Sequence, residues 1–445
     1  MIHSNFPNNK CNNLKGVFTM SHVAEGKLLD SELLGEIREK FAYIDTDPLT
    51  KEARIFLDNA GGSFRLKLAN ERFAEIDLIP DHPMREHRTA VYLSDIEKQG
   101  IDDIRTIFNA KNGAIVPYYT ASQAIFNLTG VVAEHVEGTN IVTTALEHPS
   151  LYDAAQFYAD KFGKELRVAP TNKITGGVDV EEITKLIDKD TISLNFIYAS
   201  NISGGILDVE TIIKEAKKIK PDIYIIIDAV QHAPHGLIDL EKTVVDVINF
   251  APYKFFGIRG VGFAYVSDRA THLPHQRLLG KSDEELGLGS VTPGHYAAIS
   301  AVVDYVCWLG EKFTNTSDRR SLYEAGMTAI SQHERALLQI LLDGTESVDG
   351  LRMLDGVTVH LDYEDLSKRD FIVGISLEGI DYNVAVDLYS RENIIVYDRV
   401  ASSIYSKRML ESFDMDGAIR ISPMHCQSKE EILTFLKVTK KIVNS

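Results

Sequence analysis

The sequence predicts an α/β protein built on a covered, mostly parallel seven-stranded sheet, followed by a smaller α+β region. Two observations carry this expectation. Between about residues 55 and 310, short runs rich in Val, Ile, Tyr and Phe alternate with amphipathic stretches, as strand–helix–strand units do. Several of the runs are apolar at every position, as strands covered on both faces are. LDSELLGEIREKF at 30–42 has helical apolar spacing. IFLD at 55–58, NIVTTA at 140–145, ELRVAP at 165–170, SLNFIYAS at 193–200, IYIIIDA at 223–229, VDVINFAP at 245–252 and VGFAYVS at 261–267 read as strands. VEEITKLIDK at 180–189 and VETIIKEAKKIK at 209–220 read as helices between them. Helices follow near 296–312 and over 320–342, then short strands at 358–363 and 371–379, and a closing helix in SKEEILTFLKVTKKIV. The expected organisation is a leader and helix over 1–54 packing with the smaller domain, a large domain over 55–315 and a small α+β domain over 316–445. Residues 1–28 read as a polar, irregular leader.

Composition narrows the function. A chain of 445 residues with 44% hydrophobic and 25% charged residues is globular. Its net charge of −17 disfavours nucleic acid and anionic lipid as partners. No run of roughly 18 apolar residues is present to span a membrane, and the N-terminus lacks the apolar core of a secretory signal. The three cysteines, Cys11, Cys307 and Cys426, form no CxxC or CxxH pair. That argues against a metal site and a disulfide framework and for a reducing, cytoplasmic setting.

One stretch stands out. NFAPYKFFG at 249–257 sets Lys254 among apolar and aromatic neighbours. A surface lysine laying its stem on aromatic rings is one reading; a desolvated, reactive amine is the other. Asp228 ends the strongly apolar run IYIIID, and open α/β sheets gather ligands at that end of their strands. An aspartate there equally suits a turn or a helix cap. Lys254 follows 26 residues later (254 − 228) at the end of the next run, so neighbouring strands can present a carboxylate and an amine to one crevice.

The order strand–Asp–x–x–Gln, then two dozen residues, then an apolar strand ending in Lys resembles the class V aminotransferase and cysteine desulfurase superfamily. These are fold-type-I enzymes that use pyridoxal 5′-phosphate (PLP). The resemblance implies that Lys254 forms the Schiff base with PLP, that Asp228 pairs with the pyridine nitrogen and that Gln231 bonds the phenolic oxygen. A buried carboxylate keeps the ring nitrogen protonated and the cofactor an electron sink. Other segments match in order. In LEHPSLYD, His148 corresponds to the histidine that stacks on the ring, and in YASNISGG Asn201 faces cofactor or substrate. Thr120, Ala121 and Ser122 in VPYYTASQ resemble the phosphate-binding turn that opens a helix, where backbone N–H groups suit a dianion. Ala251 and Tyr253 stand where the family has a hydroxyl and a histidine, so Tyr253 alone keeps a donor. Thr292, in GLGSVTPGH, matches the threonine that reaches a neighbouring subunit's phosphate, which implies a homodimer with sites at the interface. Asn59 in LDNAGGS lies near the substrate pocket by the same resemblance. Arg420 in GAIRISPMHC corresponds to the arginine that clamps the substrate carboxylate.

The reaction is less defined. Desulfurases of this superfamily carry a catalytic cysteine on a loop before that arginine; here YDRVASSIYSKRMLESFDMDGAIR offers Ser402 and Ser403 but no cysteine, and Cys426 follows Arg420. The expectation is therefore a PLP enzyme acting at Cα of a small amino acid, by β-elimination of a C–S lyase type. Transamination, epimerisation and a non-catalytic PLP-fold protein are the alternatives. DHPMREHR at 81–88 lines the pocket entry or starts a solvated helix.

Overall fold

The computed structural model describes residues 26–282 and 285–445; most of the expected leader, and Cys11, lie outside the described residues. A seven-stranded sheet forms from Ala114–Tyr118 (β1), Asn140–Thr144 (β2), Glu165–Ala169 (β3), Thr191–Ile197 (β4), Tyr224–Asp228 (β5), Val247–Phe250 (β6) and Gly262–Val266 (β7). Its spatial order is β1-β7-β6-β5-β4-β2-β3. The run β3-β2-β4-β5-β6 is parallel, and β7 is antiparallel to both β6 and β1. Every residue of β2, β4 and β6 is buried, which is why these runs are apolar without alternation.

The count of seven matches expectation, but the membership differs. The stretch at 55–58 is not in this sheet: Ile55–Phe56 pairs in parallel with Ile394–Ile395. The seventh strand is instead β1, in a region expected to hold only a turn and a helix. It carries Pro117 and pairs with β7 alone, at the edge, where a missing N–H costs no ladder bond on the open side.

Helices flank the sheet. They include Ser31–Glu39 (α1), Arg88–Phe108 (α2), Ala121–His135 (α3), Pro149–Phe162 (α4), Val209–Ile219 (α5), Pro293–Glu311 (α6) and Arg319–Asp343 (α7). His87 precedes α2, and the 81–88 segment is largely exposed, a solvated helix start. The long α7 bridges two cores: Tyr323 and Met327 pack with the large sheet's core, whereas Leu337, Leu341 and Leu342 pack with that of a second sheet. This second sheet is antiparallel, with Val357–His360 (β8), Val373–Leu377 (β9), Tyr397–Val400 (β10) and Gly417–Ile421 (β11) in the order β8-β9-β11-β10. Lys407–Ser412 (α8) and Lys429–Val443 (α9) complete it, the latter opened by a capping box of Ser428 and Glu431. Among the described residues no helix is long and apolar enough to cross a membrane, and no group of metal-ligating side chains is found.

Candidate active site

β6 ends at Phe250 and the chain turns at once. Lys254 N donates to Ala251 O at 3.0 Å and Gly257 N to Pro252 O at 2.8 Å. Phe255 and Phe256 are fully buried, Phe256 packing edge-on against Phe41 at 5.8 Å and tilted against His425 at 4.8 Å. Phe256 adopts φ 61°, a left-handed conformation that costs a side-chain-bearing residue on the order of 1 kcal/mol. Burying the ring offsets that strain. The two phenylalanines thus fasten the turn into the core and leave Lys254 half-buried, lining a cavity of about 390 Å³.

The parallel pairing of β5 and β6 sets Asp228 opposite Asn249, so the carboxylate and the lysine turn leave the sheet on the same side. Asp228 is buried and accepts from Val230 N at 3.0 Å. Lys254 Nζ lies 3.3 Å from Gln231 Oε1. Burial lowers the lysine to about 8; Arg420 and Arg399 push the same way, while Asp228 and Asp58 oppose them. Burial raises the Asp228 carboxyl, which Val230 N–H and Lys254 partly offset.

His148 caps α4: its Nδ1 accepts from Ser150 N at 3.2 Å and lies 2.7 Å from Ser150 Oγ. Burial, then Lys254, Arg399 and Arg408, depress it to about 3, so the ring is neutral at working pH. Next to it, Glu147 is fully buried and held at about 8 by burial, with Thr144 Oγ1 donating to Oε1 at 2.6 Å. Arg408 of α8 ties this turn to the second sheet's side of the molecule. It donates to the carbonyls of Ala145 and Glu147 and lies 3.8 Å over the Tyr152 ring.

Thr120 caps α3, accepting from Gln123 N at 3.0 Å, and Ala121 and Ser122 open the helix at the cavity's edge. Two contacts from the lysine's side hold this helix start. Asn249 Nδ2 donates to Ala121 O at 2.9 Å. Gly262 approaches so closely that a Cβ there would fall 2.2 Å from Ala121 N. Tyr253 and Arg259 line the same wall, the guanidinium 4.3 Å over the ring. The donor set fits PLP on three counts. Among the described residues, the buried carboxyl of Asp228 has no ion-pair partner and is influenced by the charge of Lys254 alone; Asn201 Oδ1 is buried with no hydrogen-bond partner; and the helix start at Ala121 and Ser122 lines the cavity together with Arg259, as suits a phosphate.

The cavity therefore gathers Thr120, Ala121, Ser122, His148, Asn201, Asp228, Gln231, Tyr253 and Lys254 from scattered segments. Three expected residues stand elsewhere. Arg420 is buried behind the cavity, ion-paired with Asp58 at 2.5 Å and donating to Asn201 O at 3.2 Å, although it is close enough to repel the Lys254 ammonium. Asn59, expected near substrate, turns inward: Nδ2 donates to Phe56 O and Ser422 O, and Oδ1 accepts from Phe64 N. Its amide is consumed by backbone, so it shapes the turn and does not face the cavity. Thr292 caps α6 and donates to Asp77 at 2.7 Å, outside this chain's own cavity. The sequence carries Glu147 in the Glu-His pair of LEHPSLYD without assigning it a role, and gives no role to Asp58, Arg259, Arg399 or Arg408. Glu147 was legible beside His148; Asp58 and Arg408 depend on partners distant along the chain, whereas Arg259 and Arg399 meet Tyr253 and Tyr405 nearby in sequence.

A half-buried lysine beyond one parallel strand, a buried aspartate ending its neighbour and a helix start opposite them define a PLP-type active site. The chain belongs to the class-V aminotransferase family, whose model matches residues 55–435; this family is one of PLP-dependent enzymes. A cysteine desulfurase of Dictyoglomus turgidum is 30% identical over 389 residues, covering 78% of this chain and 93% of that one. A probable cysteine desulfurase of Halalkalibacterium halodurans is 24% identical over 424 residues, covering 91% and 97%. Among solved structures, a cysteine desulfurase from Thermococcus onnurineus superposes with a TM-score of 0.77 at 22% identity, covering 92% of this chain and 98% of that one. The fold-type-I expectation is thereby met.

Proposed function

We propose that the chain acts at the Cα of a small amino acid and catalyses β-elimination of a C–S lyase type, without a cysteine nucleophile. One observation carries this reading: Lys254, Gln231 and Asp228 meet in one cavity, with the amine held near 8. PLP, when bound, supplies an electron sink for negative charge developing at the substrate Cα. The protein's part is positioning and proton handling. Lys254, which loses its proton far more readily than an ordinary lysine, is the amine that would hold the cofactor and then take the Cα proton. Asp228 would hold the ring nitrogen's proton, and Asn201 and Gln231 would meet polar atoms of the ring. His148, neutral, would cover the ring's face rather than shuttle protons. Thr120, Ala121, Ser122, Tyr253 and Arg259 would hold the phosphate, Arg259 supplying N–H donors where Ala251 has no hydroxyl. Arg420 would exchange part of its Asp58 pairing for the substrate carboxylate. A second copy would complete the phosphate end through Thr292.

Two features support elimination over persulfide formation. The segment before α8, residues 401–406, reads Ala-Ser-Ser-Ile-Tyr-Ser. Among the described residues the thiols, Cys307 and Cys426, are buried, and burial raises both, Cys307 to about 11. A buried, protonated thiol is a poor nucleophile. The test is incubation of PLP-loaded protein with cysteine-like amino acids in the absence of any keto acid. Pyruvate, ammonia and sulfide in equal amounts are expected. Strict dependence on a keto acid would replace elimination with transamination, and deuterium uptake at Cα without keto product would replace it with epimerisation.

A further inference from the structure

In the second sheet, β10 and β11 pair with Arg399 opposite Ala418 and Tyr397 opposite Arg420. Directly opposite residues share a face of a sheet, as do residues two apart along a strand. Arg399 and Arg420 are therefore diagonal neighbours on one face. Their surroundings differ. Arg420 is ion-paired with Asp58 at 2.5 Å. Arg399 is more than nine-tenths buried. Among the described residues it donates from Nη2 to Tyr405 O at 2.8 Å and pairs with no carboxylate, and its Nε is buried without an acceptor.

Both arginines are tied to residues that line the cavity. Arg420 Nη1 donates to Asn201 O at 3.2 Å. Tyr405, which takes the Arg399 bond, stacks its ring over His148 with centroids 6.4 Å apart. Asn201 and His148 both line the cavity, and the Arg399 charge acts on both Lys254 and His148. Two guanidinia and one paired carboxylate, Asp58, leave one positive charge over in this corner. In a chain of net charge −17 that local surplus is specific to the place. A buried guanidinium without a counter-ion is costly, and a carboxylate brought by a ligand is the counter-ion that fits its planar fork.

We propose that Arg399 receives the α-carboxylate of the substrate, with Arg420 beside it, and so determines that the site takes amino acids rather than plain amines. The inference rests on the reading of this cavity as an amino-acid site and adds a residue to it. Arg420 acting alone would have to give up Asp58 for the substrate, one ion pair lost for one gained. Arg399 has no carboxylate to give up, so the substrate adds a charge-assisted contact without breaking one. A mere strut for the Tyr405 turn needs only the single bond from Nη2, which a neutral donor also makes. The charge on that strut is what substrate recognition explains.

Alanine and alaninamide test this, because they differ in the α-carboxylate and carry no leaving group. Their dissociation constants are read from the visible absorption of full-length, PLP-loaded protein. The wild type should bind alanine about tenfold or more tightly than alaninamide. Arg399→Met keeps the apolar stem and removes the charge. It should raise the alanine constant about tenfold or more and leave that of alaninamide within about twofold, and Arg399→Lys should recover part of the preference. A folded Arg399→Met that keeps the wild-type ratio of the two constants overturns the proposal. So does one that weakens both ligands equally, as loss of a strut for Tyr405 would. If the variants do not fold, the wild type decides: equal binding of the two ligands overturns the proposal, and a tenfold preference for alanine upholds it. A wild type that takes up no PLP refutes the cavity reading and this proposal together. Absence of pyruvate from cysteine-like amino acids, with the alanine preference intact, refutes elimination alone.

Discussion

The amine of Lys254 is the group whose chemistry the fold most alters, and its reactivity can be read without any substrate. Held at about 8 rather than 10.5, it is neutral in about one molecule in ten at pH 7, roughly 300 times the fraction of an ordinary lysine. Burial is the first cause and the Arg420 guanidinium the second. Arg420→Leu removes that repulsion and strips Asp58 of its ion-pair partner; both changes favour the ammonium. The lysine should therefore titrate higher, and its neutral fraction at pH 7 should fall by about an order of magnitude, equivalent to about 1.4 kcal/mol. Reductive methylation of PLP-free protein at low conversion, mapped by peptide mass spectrometry across pH 6–10, reads the midpoint directly. Exposed Lys189 is an internal reference. A Lys254 midpoint equal to that of Lys189, or one that falls or stays fixed in Arg420→Leu, would refute the electrostatic account.

Further outcomes follow from neighbouring contacts. Gly262→Ala forces a Cβ against Ala121 N, so the helix start must shift; PLP affinity, measured by equilibrium dialysis, should weaken about tenfold or more. Arg408→Ala removes two charged hydrogen bonds to the Ala145 and Glu147 carbonyls, a loss of roughly 2–3 kcal/mol; amide exchange over residues 145–150 should accelerate, and unchanged protection would contradict this. Glu147 is held at about 8 against an ordinary 4.5, so the unfolded chain loses that proton first and the stability it contributes is lost as pH rises through 4.5 to 8. Glu147→Gln should remove that decline, worth up to roughly 5 kcal/mol, seen as a flatter profile of melting temperature against pH. The double variant Cys307→Ala, Cys426→Ala should retain amino-acid turnover within about twofold, at a cost in melting temperature; abolished turnover would restore a thiol mechanism.

The legible parts of this protein are those where local sequence fixes local position. Asp228 and Lys254 could be read because each closes an apolar run, and a run buried on both faces announces itself as an interior strand. Thr120 and His148 were legible through segments that resemble the family, and both cap helices that start just after strands. What escaped depends on distant partners. Ile55–Phe56 looks like any short strand, and nothing nearby tells that it pairs with residues 394–395. β1 was hidden by Pro117, which argues against a strand unless its edge position is known. Arg408 finds its acceptors more than 250 positions earlier in the chain. Asn59 and Asp58 are adjacent, yet the fold turns the amide into the backbone and the carboxylate toward Arg420; sequence gives no sign of which faces which way.

The stretch NFAPYKFFG brings several of these constraints together. Asn249 holds the start of α3 through Ala121, so the same strand that delivers the lysine also fixes the helix N-terminus across the cavity. Tyr253 turns its carbonyl back to Ser63 and Arg65, leaving its ring for Arg259, and Phe255 and Phe256 secure the turn from below. A lysine on a mobile loop would regain water and its ordinary pKa. A lysine wholly within the core would have no access to a ligand. Anchoring both sides of the turn while leaving Lys254 half-buried satisfies both demands, and the cost is the strained φ of Phe256. Phe256→Gly should relieve that strain but remove the buried ring, and the loss of several kcal/mol of packing outweighs the gain. The variant should therefore be less stable and should return the Lys254 midpoint toward 10.5. A destabilised variant whose lysine still titrates near 8 would show that the cavity wall, and not the anchored turn, keeps the amine dry.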